Sequence, residues 1–249
     1  MITRSARLGA ARHGFPQRTG GVSTGRYASL NLLGKWGDDP AHVAENRRRL
    51  AGAIGYEPAR LYTVRQVHGV EVVTIGANDD PGNIAAIDAD ALVTDVPGVA
   101  LGVGTADCVP ILLSDERGRV GAIHAGWRGT VAGVVGRAVD ALVALGAARE
   151  QLVAALGPSI CARCFEVGPE VAAVFAHQPG VVDDRLAKPH VDLRRSNWLA
   201  LIAAGVRGEA IDDQPPCTMC DPERYYSFRR DGAGIGQHLS VIVAEGRST

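Results

Sequence analysis

Short apolar runs separated by turn residues dominate the chain and predict β-strands. The runs lie at 61–64, 70–75, 91–94, 99–103, 109–113, 120–123, 152–156 and 239–243. They are β-branched and of strand length, and the charged segment 115–119 between two of them is typical of a hairpin loop. Because these runs do not alternate regularly with helical segments, the pattern favours antiparallel or mixed sheets over repeated βαβ units.

Apolar positions at helical spacing predict four longer helices. The first begins at the capping pair Asp39 and Pro40 and ends at Gly55, and a second carries an apolar stripe from Val131 to Val143. The other two cover 169–177 and 193–206. No linker divides the chain, so we predict one α+β domain over residues 1–249 in which helices cover mixed sheets.

Composition narrows the choice of partners. Lys plus Arg (26) nearly balance Asp plus Glu (27), and no basic face stands out, so we expect no nucleic-acid partner. No window approaches the length of an apolar membrane span, and the first residues lack the apolar stretch of a signal peptide. We therefore expect a cytoplasmic protein without a membrane partner, a monomer or weak homodimer, whose cysteines are reduced.

Two C-x-x-C pairs are candidates for a structural zinc site. They are Cys161 with Cys164 and Cys217 with Cys220. The gap between the pairs is far wider than in a zinc ribbon, which favours buried, reduced cysteines and leaves a long-range metal site as the alternative. The second pair also matches half of the zinc-deaminase signature, but the H-x-E half is absent, which disfavours a cytidine-deaminase type of site.

Three other residues form the stronger candidate for chemistry. His68, Cys108 and His124 each lie at the end of a predicted strand, beside glycine or proline. Any one of them alone is more often structural than catalytic. Together, two imidazoles and a thiolate suit Zn²⁺, and three protein ligands with an open fourth position are typical of a catalytic zinc. Copper is the less favoured metal.

Eight segments in order along the chain resemble the motifs of one family. They read GGVSTGRYASLNL, ENRRRL, RQVHG, TADCVPILL, IHAGWRGT, GPSICARCFEVG, VDLRRSN and YYSFRRDG. The chain thereby resembles the YfiH-like family, also called laccase-domain or polyphenol oxidase proteins and peptidoglycan editing factor. The resemblance implies two central mixed sheets with helices outside, in α/β/β/α layers. It also places the family's metal ligands on His68, Cys108 and His124; Phe165 departs from the tyrosine of many members.

The same resemblance implies zinc-dependent purine nucleoside chemistry. The reactions are phosphorolysis of adenosine, inosine, guanosine and methylthioadenosine, with a lesser deamination of adenosine. The expected partners are therefore a purine nucleoside and phosphate. Arginines in the motif segments are candidate substrate-binding residues, namely Arg47, Arg65, Arg128 and Arg229.

Arg47, Asp107 and Cys108 are the candidate catalytic residues. Arg47 ranks first among the phosphate clamps because it lies on the apolar face of its helix, although an arginine whose stem packs while its head reaches solvent is the commoner case. Asp107 is a candidate acid or base. In a regular strand it would point away from Cys108, so this role requires a kink near Ala106.

Two other activities remain open at this point. A copper polyphenol oxidase is disfavoured because the chain has seven histidines, no His-x-His pair and two methionines, too few for a multicopper cluster. A cell-wall precursor editing amidase would use Cys108 or a zinc-activated water as its nucleophile. The sequence does not separate this amidase from nucleoside chemistry.

Overall fold

Two β-sheets form the centre of the molecule, in a computed structural model that describes residues 2–9, 11–185 and 187–246. The strands are β1 (Ile2–Thr3), β2 (His13–Pro16), β3 (Leu61–Tyr62), β4 (Val72–Ile75), β5 (Ala91–Thr94), β6 (Ala100–Thr105), β7 (Val109–Ser114), β8 (Val120–Ala125), β9 (Val153–Leu156), β10 (Val182–Asp183), β11 (His190–Val191), β12 (Ile211–Asp212) and β13 (His238–Val243).

The two central sheets are mixed, as predicted. One has five strands in the order β1-β2-β13-β6-β3, and the other has six in the order β12-β9-β7-β8-β5-β4. Three neighbouring pairs are parallel, namely β3 with β6, β4 with β5 and β12 with β9. The remaining central pairs are antiparallel, and β10 and β11 form a separate ribbon.

Helices cover the outer faces of both sheets. They are α1 (Pro40–Ile54), α2 (Pro81–Ala85), α3 (Trp127–Ala132), α4 (Val134–Ala144), α5 (Pro169–Phe175), α6 (Leu193–Ala203) and α7 (Phe228–Asp231). Leu50 of α1 packs on the five-stranded sheet, Val139 of α4 packs on the six-stranded sheet, and Leu101 and Leu112 pack between the sheets. This confirms the α/β/β/α layers. None of the helices in the described ranges is long and apolar enough to cross a membrane.

Both strands of the predicted hairpin are buried along their whole length. Every residue of β7 and β8 is buried, because helices cover one face of the pair and the second sheet covers the other. Full burial on both faces explains why these strands read as continuous apolar runs. The register pairs Pro110 with His124, so the histidine lies at the end of β8, on the face that meets the other sheet.

One predicted helix is divided in the structure. The stripe from Val131 to Val143 was expected to form a single element, but Gly133 adopts a left-handed conformation (φ 93°) between α3 and α4. Val131 is accordingly 40% exposed and does not share the buried face of α4. Left-handed backbone costs glycine little, so Gly133 ends one helix and lets the chain begin the next in a new direction.

Candidate active site

The side chains of His68, Cys108 and His124 meet at the edge of the two sheets. Their ligand atoms all lie within 4.8 Å of one another, and Sγ of Cys108 is 3.8 Å from Nε2 of His68. His124 is buried, whereas His68 and Cys108 are half-buried and face a pocket. The structure therefore brings together the three residues that the sequence selected.

A buried carboxylate, Asp90, orients two of these ligands. Its Oδ1 accepts a hydrogen bond from Nδ1 of His124 at 2.7 Å, which leaves Nε2 of His124 available to a metal. The same carboxylate accepts the backbone N–H groups of Val67, His68 and Gly69, at 3.2, 3.0 and 2.6 Å. A carboxylate behind a histidine ligand fixes the ring and its tautomer. The sequence analysis missed Asp90.

The backbone around His68 is closely constrained. His68 has a φ of 61°, an unusual left-handed conformation for a non-glycine residue, and the Asp90 hydrogen bonds hold it there. Gly126 lies against its ring: a Cβ at this glycine would be 2.4 Å from Cδ2 of His68 and 3.4 Å from Sγ of Cys108. Position 126 therefore accepts only glycine without displacing a ligand.

Asp107 lies at the predicted break in the backbone before Cys108, and three donors hold its carboxylate. The strand ends before it and its φ is 95°, so the break that an acid or base role required is present. Its carboxylate, however, accepts hydrogen bonds from Oγ1 of Thr218 (2.6 Å), Oγ of Ser227 (3.0 Å) and the N–H of Arg229 (2.6 Å). Three donors on one buried carboxylate favour a positioning role for Asp107.

Cys108 and His124 each shift the pKa of the other. Burial raises the pKa of the Cys108 thiol, but the neighbouring His124 and His68 outweigh it and lower this pKa to about 6. Burial likewise lowers the pKa of His124, but Cys108 and Asp90 outweigh it and raise this pKa to about 9. The metal-free site is therefore a thiolate–imidazolium pair near neutral pH, and metal binding must displace a proton from His124.

The pocket above these residues has a volume of about 400 Å³, and four aromatic side chains, two tryptophans and two phenylalanines, contribute to its walls. Trp36 and Phe228 stack at its mouth with ring centroids 5.9 Å apart, and Phe228 is 49% exposed. Trp127 and Phe165 line the interior. Phe165 supplies a ring without the hydroxyl that a tyrosine would add. Aromatic walls with a few polar groups are typical of a small-molecule site.

Of the four candidate arginines, Arg229 lines the pocket. Its Nη1 donates to the carbonyl of Glu166 at 2.7 Å, and its guanidinium lies 5.2 Å from the ring centroid of Phe165. Lys35, which the sequence analysis did not select, brings a second cation to the same pocket. The pocket thus combines aromatic surface with two positive charges.

The other three arginines lie outside the pocket lining. Nε of Arg47 donates to the carbonyl of Leu32 at 2.8 Å, and burial lowers the pKa of this guanidinium. Arg65 forms an exposed ion pair with Asp88, and the exposed Arg128 stacks on Trp127 with 4.3 Å between its Cζ and the ring centroid. Arg47 therefore lies outside the lining of this pocket, and its role as the first phosphate clamp stays a prediction.

Gln237 is a further pocket residue that sequence reasoning missed. Its Oε1 is buried and has no hydrogen-bond partner within the described part of the chain. A buried amide oxygen without a partner is costly, and the side chain that carries it belongs to the lining of the pocket. A lone glutamine after a glycine-rich stretch carries no recognisable signal in the sequence.

The cysteines of the C-x-x-C pairs were expected to be buried, and the structure shows that they are not. Cys220 is exposed and the other three cysteines are half-buried, so they are not core residues. Their four sulfur atoms lie within 4.8 Å of one another. This cluster and the His68, Cys108 and His124 group are the two sets of metal-ligating side chains that the described residues bring together.

The His-Cys-His donors suit zinc better than a multicopper cluster. Zinc bonds of ~2.0–2.1 Å to imidazole and ~2.3 Å to thiolate place adjacent donors roughly 3.6 Å apart in a tetrahedron, close to the observed spacing. The carboxylate behind His124 is the support that such a ligand commonly has. A trinuclear copper cluster needs many more histidines than this group supplies.

Fold and donor set together define the class: an α/β/β/α enzyme with a candidate metal centre at the edge of its sheets. Residues 12–245 match the family described as multi-copper polyphenol oxidoreductase laccase, and the chain belongs to that family. This confirms the resemblance that its motifs indicated.

Individual relatives are similar over most of their length. A purine nucleoside phosphorylase of Deinococcus radiodurans is 45% identical over 94% of this chain and 89% of its own. An adenosine deaminase of an unknown prokaryotic organism is 38% identical over 87% of both chains. The crystal structure of YlmD from Geobacillus stearothermophilus superposes with a TM-score of 0.89 at 33% identity, covering 97% of this chain and 94% of that one.

The contact between Gly126 and His68 yields a first prediction. Gly126→Ala is expected to leave the fold intact and to weaken metal binding at this site about 10- to 100-fold, because the methyl group displaces the His68 ring. Zinc competition with a chelator measures the change. Gly136→Ala is the matched control, since a Cβ there meets nothing within 4 Å. Equal zinc affinity in the two variants would contradict the prediction.

The thiolate–imidazolium pair yields a second prediction. In metal-free protein the His124 ring is expected to stay protonated well above its ordinary pKa and to titrate towards pH 9. In Cys108→Ser the midpoint should fall, because the thiolate charge that helps to hold the proton is gone. NMR of the histidine ring protons measures both values. A midpoint near 6.5 in metal-free wild type would show that the pair does not form.

Proposed function

We propose that this protein is a zinc-dependent purine nucleoside phosphorylase with a lesser adenosine deaminase activity. The observation that carries the proposal is the position of the His68, Cys108 and His124 donors, which face a pocket. Four aromatic side chains and the positively charged side chains of Lys35 and Arg229 line the same pocket. The similarity to a 45% identical purine nucleoside phosphorylase supports the same reaction. Adenosine, inosine, guanosine and methylthioadenosine are the proposed substrates, and the cytoplasm is the proposed location.

The aromatic walls provide the site for the purine. Four aromatic rings offer flat apolar surfaces to a base. They are the stacked rings of Trp36 and Phe228 and the rings of Trp127 and Phe165. Stacking of a base on an aromatic ring contributes about 1–3 kcal/mol and tolerates different bases. Gln237 supplies a polar contact for an edge of the purine, because its buried Oε1 lacks a partner among the described residues. This combination suits a broad purine specificity.

Phosphate requires positive charge close to the reacting sugar carbon. Arg229 and Lys35 provide it, and the backbone of Arg229 is fixed by Asp107, the neighbour of Cys108. Charge-assisted hydrogen bonds from a guanidinium orient a phosphate as well as bind it. A phosphate held in this way attacks the anomeric carbon as the purine leaves, and its alignment lowers the entropic part of the barrier.

His68, Cys108 and His124 would hold the zinc ion at the edge of this pocket. When bound, zinc supplies a Lewis acid that stabilises negative charge developing on a neighbouring oxygen or nitrogen. Asp90 keeps Nδ1 of His124 engaged and therefore keeps Nε2 directed to the metal. The aromatic walls limit the access of bulk water, which favours phosphate over water as the attacking group.

Deamination requires attack at the purine ring rather than at the sugar. The 38% identical adenosine deaminase supports this second activity. One site can serve both carbons only if the nucleoside binds in two orientations, and the pocket's stacking surfaces on several sides allow this. We therefore place phosphorolysis first and deamination second.

Product analysis with adenosine tests the proposal. The enzyme is incubated with adenosine, with and without phosphate, and adenine, inosine and hypoxanthine are separated by chromatography. Adenine is expected only with phosphate, because phosphorolysis consumes it, whereas inosine is expected in either buffer at a lower rate. Cys108→Ser should lose both reactions and one equivalent of zinc relative to wild type. Adenine formation independent of phosphate would identify a hydrolase instead, and no turnover of any purine nucleoside would favour the amidase.

A second test concerns the phosphate contact. Arg229→Met retains the backbone N–H on Asp107 and removes the charge, so the KM for phosphate should rise about tenfold or more with zinc content unchanged. Arg65→Met is the control, because Arg65 is exposed and lies outside the pocket lining. Steady-state kinetics at varied phosphate measures both. If the two variants share the wild-type KM for phosphate, Arg229 does not bind it.

A further inference from the structure

The two C-x-x-C segments, 56 residues apart in sequence, run side by side in the structure. Ser159 and Cys217 form a parallel bridge, and the N–H of Thr218 donates to the carbonyl of Ser159 at 3.1 Å. The N–H of Cys161 donates to Sγ of Cys217 at 3.3 Å. Backbone N–H groups directed at cysteine sulfur stabilise a thiolate, as they do around metal-bound cysteines.

The spacing of the sulfur atoms fits one tetrahedral metal ion. All four lie within 4.8 Å of one another, and Sγ of Cys164 is 3.4 Å from Sγ of Cys220. Zinc–sulfur bonds of ~2.3 Å place the sulfur atoms of a tetrahedral site roughly 3.8 Å apart. A disulfide would bring two sulfur atoms to ~2.05 Å, whereas Sγ of Cys164 and Sγ of Cys220 are 3.4 Å apart and the cysteines are free thiols.

Two arginines provide positive charge beside the cluster. Arg194 donates to the carbonyls of Pro215 (2.7 Å) and Pro216 (2.8 Å), directly before Cys217. Arg230 donates to the carbonyl of Thr218 at 3.0 Å, inside the second C-x-x-C segment. Four thiolates around Zn²⁺ carry a net charge of two minus. Arg194 partly offsets this charge, whereas the charge of Arg230 is already paired with Asp231 at 2.7 Å.

We propose that Cys161, Cys164, Cys217 and Cys220 bind a second, structural zinc ion that fastens one wall of the pocket to another. Phe165, which follows Cys164, lines the pocket. Thr218, which follows Cys217, donates to Asp107 at 2.6 Å and so holds the residue before Cys108. The metal joins the two segments that carry these contacts, and each thiol gives up its proton to the solvent on binding.

Metal content distinguishes the two sites. Wild-type protein, freed of loosely bound metal by a chelating resin, is expected to hold about two equivalents of zinc by mass spectrometry of the metal. The Cys164→Ser/Cys220→Ser variant should lose one equivalent and have a lower Tm, while Cys108→Ser should lose the other equivalent. Cobalt added to metal-free Cys108→Ser should give the intense thiolate charge-transfer bands of a four-sulfur tetrahedral site.

The measurements on wild type and on Cys108→Ser decide the matter even where the double variant does not fold. About one equivalent in wild type, all of it lost in Cys108→Ser, together with four thiols that react freely with Ellman's reagent, would overturn the proposal. A protein mass lower by two hydrogen atoms per pair would identify disulfides and overturn it equally. Because the readout is metal content, these outcomes are independent of whether the enzyme acts on nucleosides.

Discussion

The carboxylate of Asp90 connects the two parts of the metal site, and the local structure depends on it. It has no solvent exposure and accepts the Nδ1–H of His124 and three consecutive backbone N–H groups of the 67–69 loop. Burial opposes its ionisation, but the hydrogen bonds from His124, Gly69 and Val67 outweigh that effect and lower its pKa. Without this carboxylate, the buried Nδ1–H of His124 would lose its acceptor at a cost of about 1–3 kcal/mol, and the part-buried N–H groups of the loop would lose theirs as well.

A second carboxylate organises the opposite wall in the same way. Asp107 receives donors from Thr218, Ser227 and Arg229, which come from two separate segments of the chain. Asp107 and His68 are the two non-glycine residues with positive φ in the described ranges, and both line the pocket. A positive φ is unfavourable for a non-glycine residue, and surrounding hydrogen bonds stabilise this conformation at both positions. Such strained residues are common at functional sites.

The sequence predicted most of the core and the three residues that converge at the candidate metal site, for identifiable reasons. β7 and β8 are buried on both faces, so they appear as uninterrupted apolar runs, and their ends expose the residues that do chemistry. Asp90 was missed because it precedes a strand in a stretch with another nearby aspartate, and nothing local marks it as buried. The sequence did not predict that the two C-x-x-C pairs come together, because they are 56 residues apart and local spacing gives no information on such a contact. The apolar face of its helix predicted that Arg47 is partly buried, but it did not predict that Nε of Arg47 donates to the carbonyl of Leu32.

The full burial of the β7–β8 hairpin also has a kinetic consequence. His124 lies on a strand that is buried along its whole length, whereas His68 lies on a half-buried loop whose backbone N–H groups donate to one carboxylate. Local opening therefore reaches His68 at far lower free energy than it reaches His124. Exchange of a bound ion should proceed through release of the loop ligand while the strand ligand stays in place. The rate at which the site gains or loses its ion is then a property of the 67–69 loop, and the global stability of the protein has little influence on it.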